Sequence, residues 1–202
     1  MIVRRLLLVL VAVLCASCTG GNASPRPGST APLPTAGSGK LICGMLPESS
    51  VQALLGDRKY TVEGAGVVRR SDGELDFATC AIQDPEKRGT DGRYLNVFTN
   101  HGADRTVLRD VYRRAWEYTF PAEVGLGAAQ RQGDNGAIAK LLWGDHTLSV
   151  TIRRSAEGRD PLRDAIALVQ EVGTALRISK TPSTPYPTRG EVLGATPSAG
   201  TN

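Results

Sequence analysis

The chain has two histidines, His101 and His146, far apart in sequence and without a cysteine or carboxylate at metal-ligand spacing beside either. A zinc centre needs three or four convergent ligands, so no metal is expected. His146, near Trp143 at a hairpin end, reads as a cross-strand contact, and His101, just ahead of a helix, as part of a turn. The sequence contains no Gly-x-Ser-x-Gly elbow, no phosphate-cradling glycine loop and no His-Glu-x-x-His pair. Glu63, Asp76 and Glu123 have the chemistry of a glycosidase dyad, but nothing in their setting singles out two of them. No catalytic residue and no cofactor is therefore expected. The densest charged group is basic. Arg105, Arg109 and Arg113 recur every four residues, with Arg114 alongside, and on a helix they line one face that can meet an anionic headgroup or cell-wall polymer. The alternative is a solvated face partly neutralised by Asp104 and Asp110. Tyr94 and Phe98, four apart on one face of a strand, either floor a ligand groove or belong to the core.

Four cysteines remain to be placed. The N-terminus has Arg4 and Arg5, an apolar run from Leu6 to Leu14 and then small residues, the build of a secretion signal. That run is shorter than the ~20 residues a helix needs to cross a bilayer. Leu14-Cys15-Ala16-Ser17-Cys18 resembles a lipobox, in which the final cysteine receives diacylglycerol and becomes the first mature residue. Cys15 displaces the usual aliphatic residue by one step, and cleavage at Cys15 would put bulky Leu14 at the cut, so Cys18 is the lipidation candidate. Ordinary cleavage nearby, releasing a soluble secreted protein, is the alternative. The formal charge of +4 includes Arg4 and Arg5, and without those two it is +2. No polybasic block remains for counterion release, which excludes nucleic acid as the expected partner.

The elements that position these residues lie between two stretches of tether-like composition. Residues 18–39 comprise the anchor and a Gly, Ser, Thr, Pro and Ala stalk whose only large apolar residue is Leu33; such a stretch gains too little by burial to order itself. As a flexible chain it spans roughly 25 Å on average. Residues 180–202 repeat the composition and are expected to be disordered. Residues 40–179 are a normal length for one domain. Within them Pro47 to Leu55 reads as a short helix stopped by Gly56. Tyr60 to Arg70 and Leu75 to Gln83 flank Asp72-Gly73, a two-residue hairpin signal that sets Val68 opposite Phe77 and Arg69 opposite Asp76. Arg93 to Thr99 has apolar residues on both faces and is expected at the centre of a sheet. Ala103 to Tyr118 is amphipathic at helical spacing. After a weak strand at Gly127 to Gln132, Ala137 to Trp143 and His146 to Arg154 flank Gly144-Asp145, a pairing that aligns Trp143 with His146, Leu141 with Leu148 and Ala139 with Val150. Asp160-Pro161 opens a last helix through Leu176. The order predicts an α+β fold, an antiparallel sheet with helices packed on one face, in two similar halves of one helix and three strands.

Lipobox-like Cys18, the stalk, Cys43-Gly44-Met45-Leu46-Pro47 leading into a helix that ends Leu54-Leu55-Gly56, Ala78-Thr79-Cys80-Ala81-Ile82 and a late Val124-Gly125-Leu126-Gly127 together resemble the actinobacterial envelope lipoproteins grouped as a domain of unknown function. The chain departs from that pattern at Ile82, where an aromatic residue is often found, and at Ala128, where an acidic one is expected. The resemblance implies a disulfide and carries over no catalytic residue. The residues lead to the same pairing: Cys15 leaves with the signal and Cys18 is taken by lipid, so Cys43 and Cys80 remain in an oxidising compartment. A pair of free thiols or a metal half-site is the rival reading. The sequence thus reads as a non-catalytic binding or accessory domain, tethered through Cys18 to the outer face of the cell membrane, with a cell-wall polymer, a lipid or an envelope protein as its partner. A cell-wall-directed hydrolase is the alternative.

Overall fold

The computed structural model describes residues 32–34, 39–87, 89–102 and 104–194. Cys15, Cys18 and the signal segment lie outside them. The described chain opens with β1 (Leu41–Ile42) and β2 (Leu46–Pro47), a two-stranded ribbon that delivers Pro47 to the start of α1 (Glu48–Leu55). Helix α1 buries Val51, Leu54 and Leu55, the three residues whose spacing predicts it. At the ribbon's turn, Cys43 is bonded to Cys80, and the two Cα atoms are 5.9 Å apart. The expected disulfide is present.

Seven strands form the main sheet: β3 (Thr61–Arg69), β4 (Leu75–Gln83), β5 (Arg93–His101), β6 (Tyr118–Thr119), β7 (Leu126–Arg131), β8 (Ala137–Trp143) and β9 (His146–Ile152). Their order is β3-β4-β5-β9-β8-β7-β6, antiparallel throughout. Two three-stranded meanders, β3 to β5 and β7 to β9, therefore meet along β5 and β9, and β5 is interior as expected. The β8–β9 hairpin has the predicted register, with Trp143 opposite His146, Leu141 opposite Leu148 and Ala139 opposite Val150.

The β3–β4 hairpin differs by one residue. Val68 faces Phe77 as expected, but Arg69 faces Leu75 rather than Asp76. The backbone N–H of Gly73 donates to the Arg70 carbonyl and that of Arg70 to the Glu74 carbonyl, which makes a three-residue loop with Gly73 at φ 86. A turn followed by a left-handed residue absorbs one extra position as a bulge, and only Gly73 needs the positive φ that a two-residue turn would have demanded twice.

Helix α3 (Pro161–Ala175) begins where Asp160 accepts hydrogen bonds from the backbone N–H groups of Leu162 and Arg163. Its buried Ala165, Leu168, Val169 and Val172 cover the β7–β9 side of the sheet, in one core with α1 and with the strand residues Cys80, Ile82, Leu95, Val97, Leu141, Leu148 and Val150. Within this core Arg159 and Asp164 are paired at 2.6 Å and almost fully buried. The α+β, antiparallel character is as read. Helices α1 and α3 share one face, whereas α2 (Arg105–Arg113) and α4 (Arg189–Leu193) join Leu142 in a second, smaller cluster on the opposite face. The three-stranded meanders of the two halves thus correspond, β6 is an addition to the second, and the helices do not correspond. Among the described residues no helix is long and apolar enough to cross a membrane.

Three further corrections have local causes. Helix α2 stops at Arg113, short of Tyr118: the Arg114 backbone N–H makes the last helical hydrogen bond, to the Asp110 carbonyl, and the chain then turns so that the Trp116 indole donates to that same carbonyl. Leu33, expected in the stalk, is 4 % exposed and packs into the main core, and the neighbouring Pro34 carbonyl accepts from the Ser50 hydroxyl. The tail expected to be disordered from Lys180 is ordered to Gly194. Tyr186 and Val192 pack beside α2, the Tyr186 hydroxyl donates to the Gly144 carbonyl, and Thr188 and Glu191 form a capping box that starts α4. Composition alone hides these anchors, since few apolar contacts suffice where prolines have already restricted the chain.

Candidate functional site

The arginines singled out in the sequence lie on α2. Asp104 caps the helix by accepting from the backbone N–H of Thr106, and Val107 and Leu108 are buried toward the sheet. That orientation turns Arg109 and Arg113 outward, and both line a cleft of about 390 Å³ between α2 and α4 whose other wall includes Val192 and Leu193. Arg105 lies on the same helix, one turn earlier. The acids expected to neutralise this face are engaged elsewhere. Asp110 is 2.6 Å from Lys140 on β8 and 3.7 Å from Arg114; the Lys140 hydrogen bond holds its carboxyl below the usual carboxylate range. Asp104 is the helix cap, and the Glu191 carboxylate accepts from both the backbone N–H and the hydroxyl of Thr188. Burial raises the Tyr112 phenol, with the charge of Glu191 adding to the shift, and its hydroxyl donates to the Pro187 carbonyl, fixing α4 against α2. The cleft is therefore basic along α2, while its α4 side combines Val192 and Leu193 with the carboxylate of Glu191.

Tyr94 and Phe98 do not form a groove together. Tyr94 is buried and has the Arg58 guanidinium 5.9 Å from its ring centre, while Phe98 is 41 % exposed.

The two histidines, distant in sequence, come together. His101 on β5 stands directly opposite His146 on β9, and the rings meet edge to face with centres 5.2 Å apart. His146 is buried. Its Nε2 lies 3.2 Å from the Leu75 carbonyl oxygen, which can only accept, so Nε2 carries the proton. Its Nδ1 is then a lone pair, also buried, with no hydrogen-bond partner among the described residues. Burial pulls the His146 pKa below its ordinary value, which keeps the ring neutral. Beside it is a cavity of about 110 Å³ lined by Arg69, Glu74, His101, Asp145 and Arg177 as well as His146.

These residues arrive from four places in the chain. Arg69 donates to the Gly73 and Leu176 carbonyls and so ties the first hairpin to the end of α3. Asp145 accepts from the backbone N–H of Ser183, the main reason its carboxyl titrates low. Arg177 follows α3 at φ 58; Ile178 donates to the Gly173 carbonyl and Arg177 to that of Thr174, a helix ending that glycine normally occupies. A side chain there costs about 1 kcal/mol in backbone strain. Sequence reasoning missed this cluster because its members are joined only in the folded chain, His101 to His146 by the β5–β9 pairing and the first hairpin to the end of α3 by Arg69. Comparison with protein-family models and with curated proteins gives no match, and the functional reading rests on the chain's own residues.

Proposed function

We propose that the chain is a non-catalytic binding domain, exported and held at the outer face of the cell membrane by lipid on Cys18, that takes an anionic envelope ligand in the α2–α4 cleft. The observation that carries this reading is that Arg109 and Arg113 lie together along a cleft also lined by Val192 and Leu193, while Asp110 is paired with Lys140 and the Glu191 carboxylate, which lines the cleft too, is held by Thr188. Guanidinium groups hold phosphate oxygens with paired, directional hydrogen bonds. Val192 and Leu193 suit the hydrocarbon next to such a headgroup.

Vesicle flotation tests the cleft, using the full chain with Cys18→Ala so that the anchor does not dominate. Binding to vesicles of phosphatidylglycerol, weak binding to phosphatidylcholine, and loss with added salt are expected. An arginine near an anionic surface contributes about 1 kcal/mol, so Arg109→Glu with Arg113→Glu is expected to weaken binding at least about thirtyfold. Equal binding to both vesicle types, or an unaffected double variant, refutes the cleft. The anchor is tested separately: one diacylglycerol supplies the two chains that stable anchoring needs. Recovery of wild type and Cys18→Ala alike in culture fluid would refute it.

A further inference from the structure

We propose that Asn135 is a site of spontaneous deamidation, a covalent modification that places a new carboxylate beside Arg58, Arg153 and Arg154. This inference is independent of the α2–α4 cleft and would survive its failure.

The reaction needs an asparagine side chain free to fold back on the next backbone nitrogen, and little bulk at that next residue. Hydroxide removes the Gly136 N–H proton, and the nitrogen attacks Cγ of Asn135. The Cγ–Nδ2 bond breaks and ammonia leaves with a proton from water, which closes a five-membered succinimide. Water then adds to one of the two ring carbonyls and breaks that carbonyl's bond to nitrogen. Attack at Cγ gives aspartate, and attack at the main-chain carbonyl carbon gives isoaspartate. No electrons are exchanged, and water is the only co-reactant.

The fold leaves these needs met at one asparagine. Asn135 and Gly136 end the loop between β7 and β8. The loop is held through its oxygens: the Gly136 carbonyl accepts from the Gln132 N–H at 2.8 Å and the Asn135 carbonyl from the Ser155 N–H at 3.2 Å. Asn135 is exposed, and no hydrogen bond among the described residues engages its carboxamide or the Gly136 N–H. The second member of the pair is fixed by packing. A Cβ at position 136 would lie 2.7 Å from the Gln132 carbonyl oxygen and 2.9 Å from that of Ile152, so glycine, the residue that hinders ring closure least, holds the place. Asn96 and Asn100 have the same side chain in the opposite setting. Both lie in β5, between β4 and β9, and are followed by Val97 and His101. Pairing along both edges commits their backbone to the ladder. The consequence is electrostatic. Asn135 lines a cavity of about 480 Å³ with Arg58, Arg153, Arg154 and Glu157. Either product adds a negative charge among these groups, where the intact amide has none.

Peptide mass spectrometry decides the matter, on the folded full chain in detergent stored at mildly alkaline pH and body temperature. The peptide containing Asn135 is expected to gain about 1 Da, the difference between an amide and an acid, and to split into aspartate and isoaspartate forms on chromatography. The peptides containing Asn96 and Asn100 are expected to keep their mass. Asn135→Gln changes an exposed side chain without hydrogen-bond partners, so it is expected to fold like the parent. It is also expected to form no acidic species over the same time, because glutamine would have to close a six-membered ring, which forms far more slowly. An unchanged mass at Asn135, equal conversion at Asn96 or Asn100, or the same acidic species from Asn135→Gln would each overturn the proposal.

Discussion

The two halves of the sheet, β3 to β5 and β6 to β9, are held down by different means. In the second, β7 to β9 are covered on both faces, by α3 with its row of buried aliphatic residues and by α2 with the ordered C-terminal strap. The first, β3 to β5, has only the short α1 and the β1–β2 ribbon near it, leaves Phe98 and Val62 exposed, and is the half that carries the disulfide. Where packing area is small, a covalent link supplies what burial does elsewhere. Cross-linking Cys43 to Cys80 restricts the unfolded chain, whereas α3 stabilises the folded one.

The largest effect is therefore expected from the bridge. A loop of 37 residues corresponds to about 4 kcal/mol in the chain-entropy account, a large share of a typical domain's net stability. Denaturant unfolding of a Cys43→Ala, Cys80→Ala variant is expected to show that loss, and hydrogen exchange to show it first in β3 and β4. Uniform acceleration across β7 to β9 as well would mean that the halves do not differ in this way.

The second half should instead be sensitive to volume. A methyl group on Gly173 of α3 would lie 2.5 Å from the Trp143 ring. Gly173→Ala is expected to destabilise by about 1–3 kcal/mol through overpacking, despite alanine's better helix propensity. A thermal melt showing net stabilisation would indicate that α3 rides loosely on β8, and the contrast with the first half would weaken.

The smallest effect belongs to the seam. The folded-state pKa of His146 lies below its ordinary value near 6.5 because burial disfavours the charged ring. The folded protein thus binds fewer protons than the unfolded one as pH falls past 6.5. The contribution of neutral His146 is fully present above that pH and is lost as pH drops through the folded value. The melting temperature is expected to fall between pH 7 and pH 5 by more in the parent than in His146→Gln. Identical slopes would show that the ring is not buried as described.

What could be read in advance follows the range of the interactions. The β8–β9 register was legible because strict alternation and a two-residue turn leave one pairing, and α3 because Asp160-Pro161 marks its start and an aliphatic stripe its length. The disulfide followed from the number of cysteines left once Cys15 and Cys18 are set aside for the expected signal and lipid site. The meeting of His101 with His146 was not legible, since it depends on which strands become neighbours in the finished sheet. Arg109 and Arg113 could be grouped from their spacing, but the wall opposite them could not, because it is built by a tail whose composition resembles a linker. The Thr188-Arg189-Gly190-Glu191 capping pattern was the available signal for α4. Leu33 was another, a lone aliphatic residue among small ones that finds a place in the core.

Strand β3 is the long outer border of the sheet, and its pairing with β4 slips twice, between Glu63 and Gly66 and between Val68 and Arg69. At the first slip Gly64 has φ 130, and a Cβ there would sit 2.5 Å from the Thr79 carbonyl oxygen, so the strand cannot be straightened by an ordinary residue. The far border, β6, is two residues long. A second molecule seeking to add a strand would find one margin kinked and the other too short to template it. Neighbouring copies can then crowd together without zipping their sheets into a fibre.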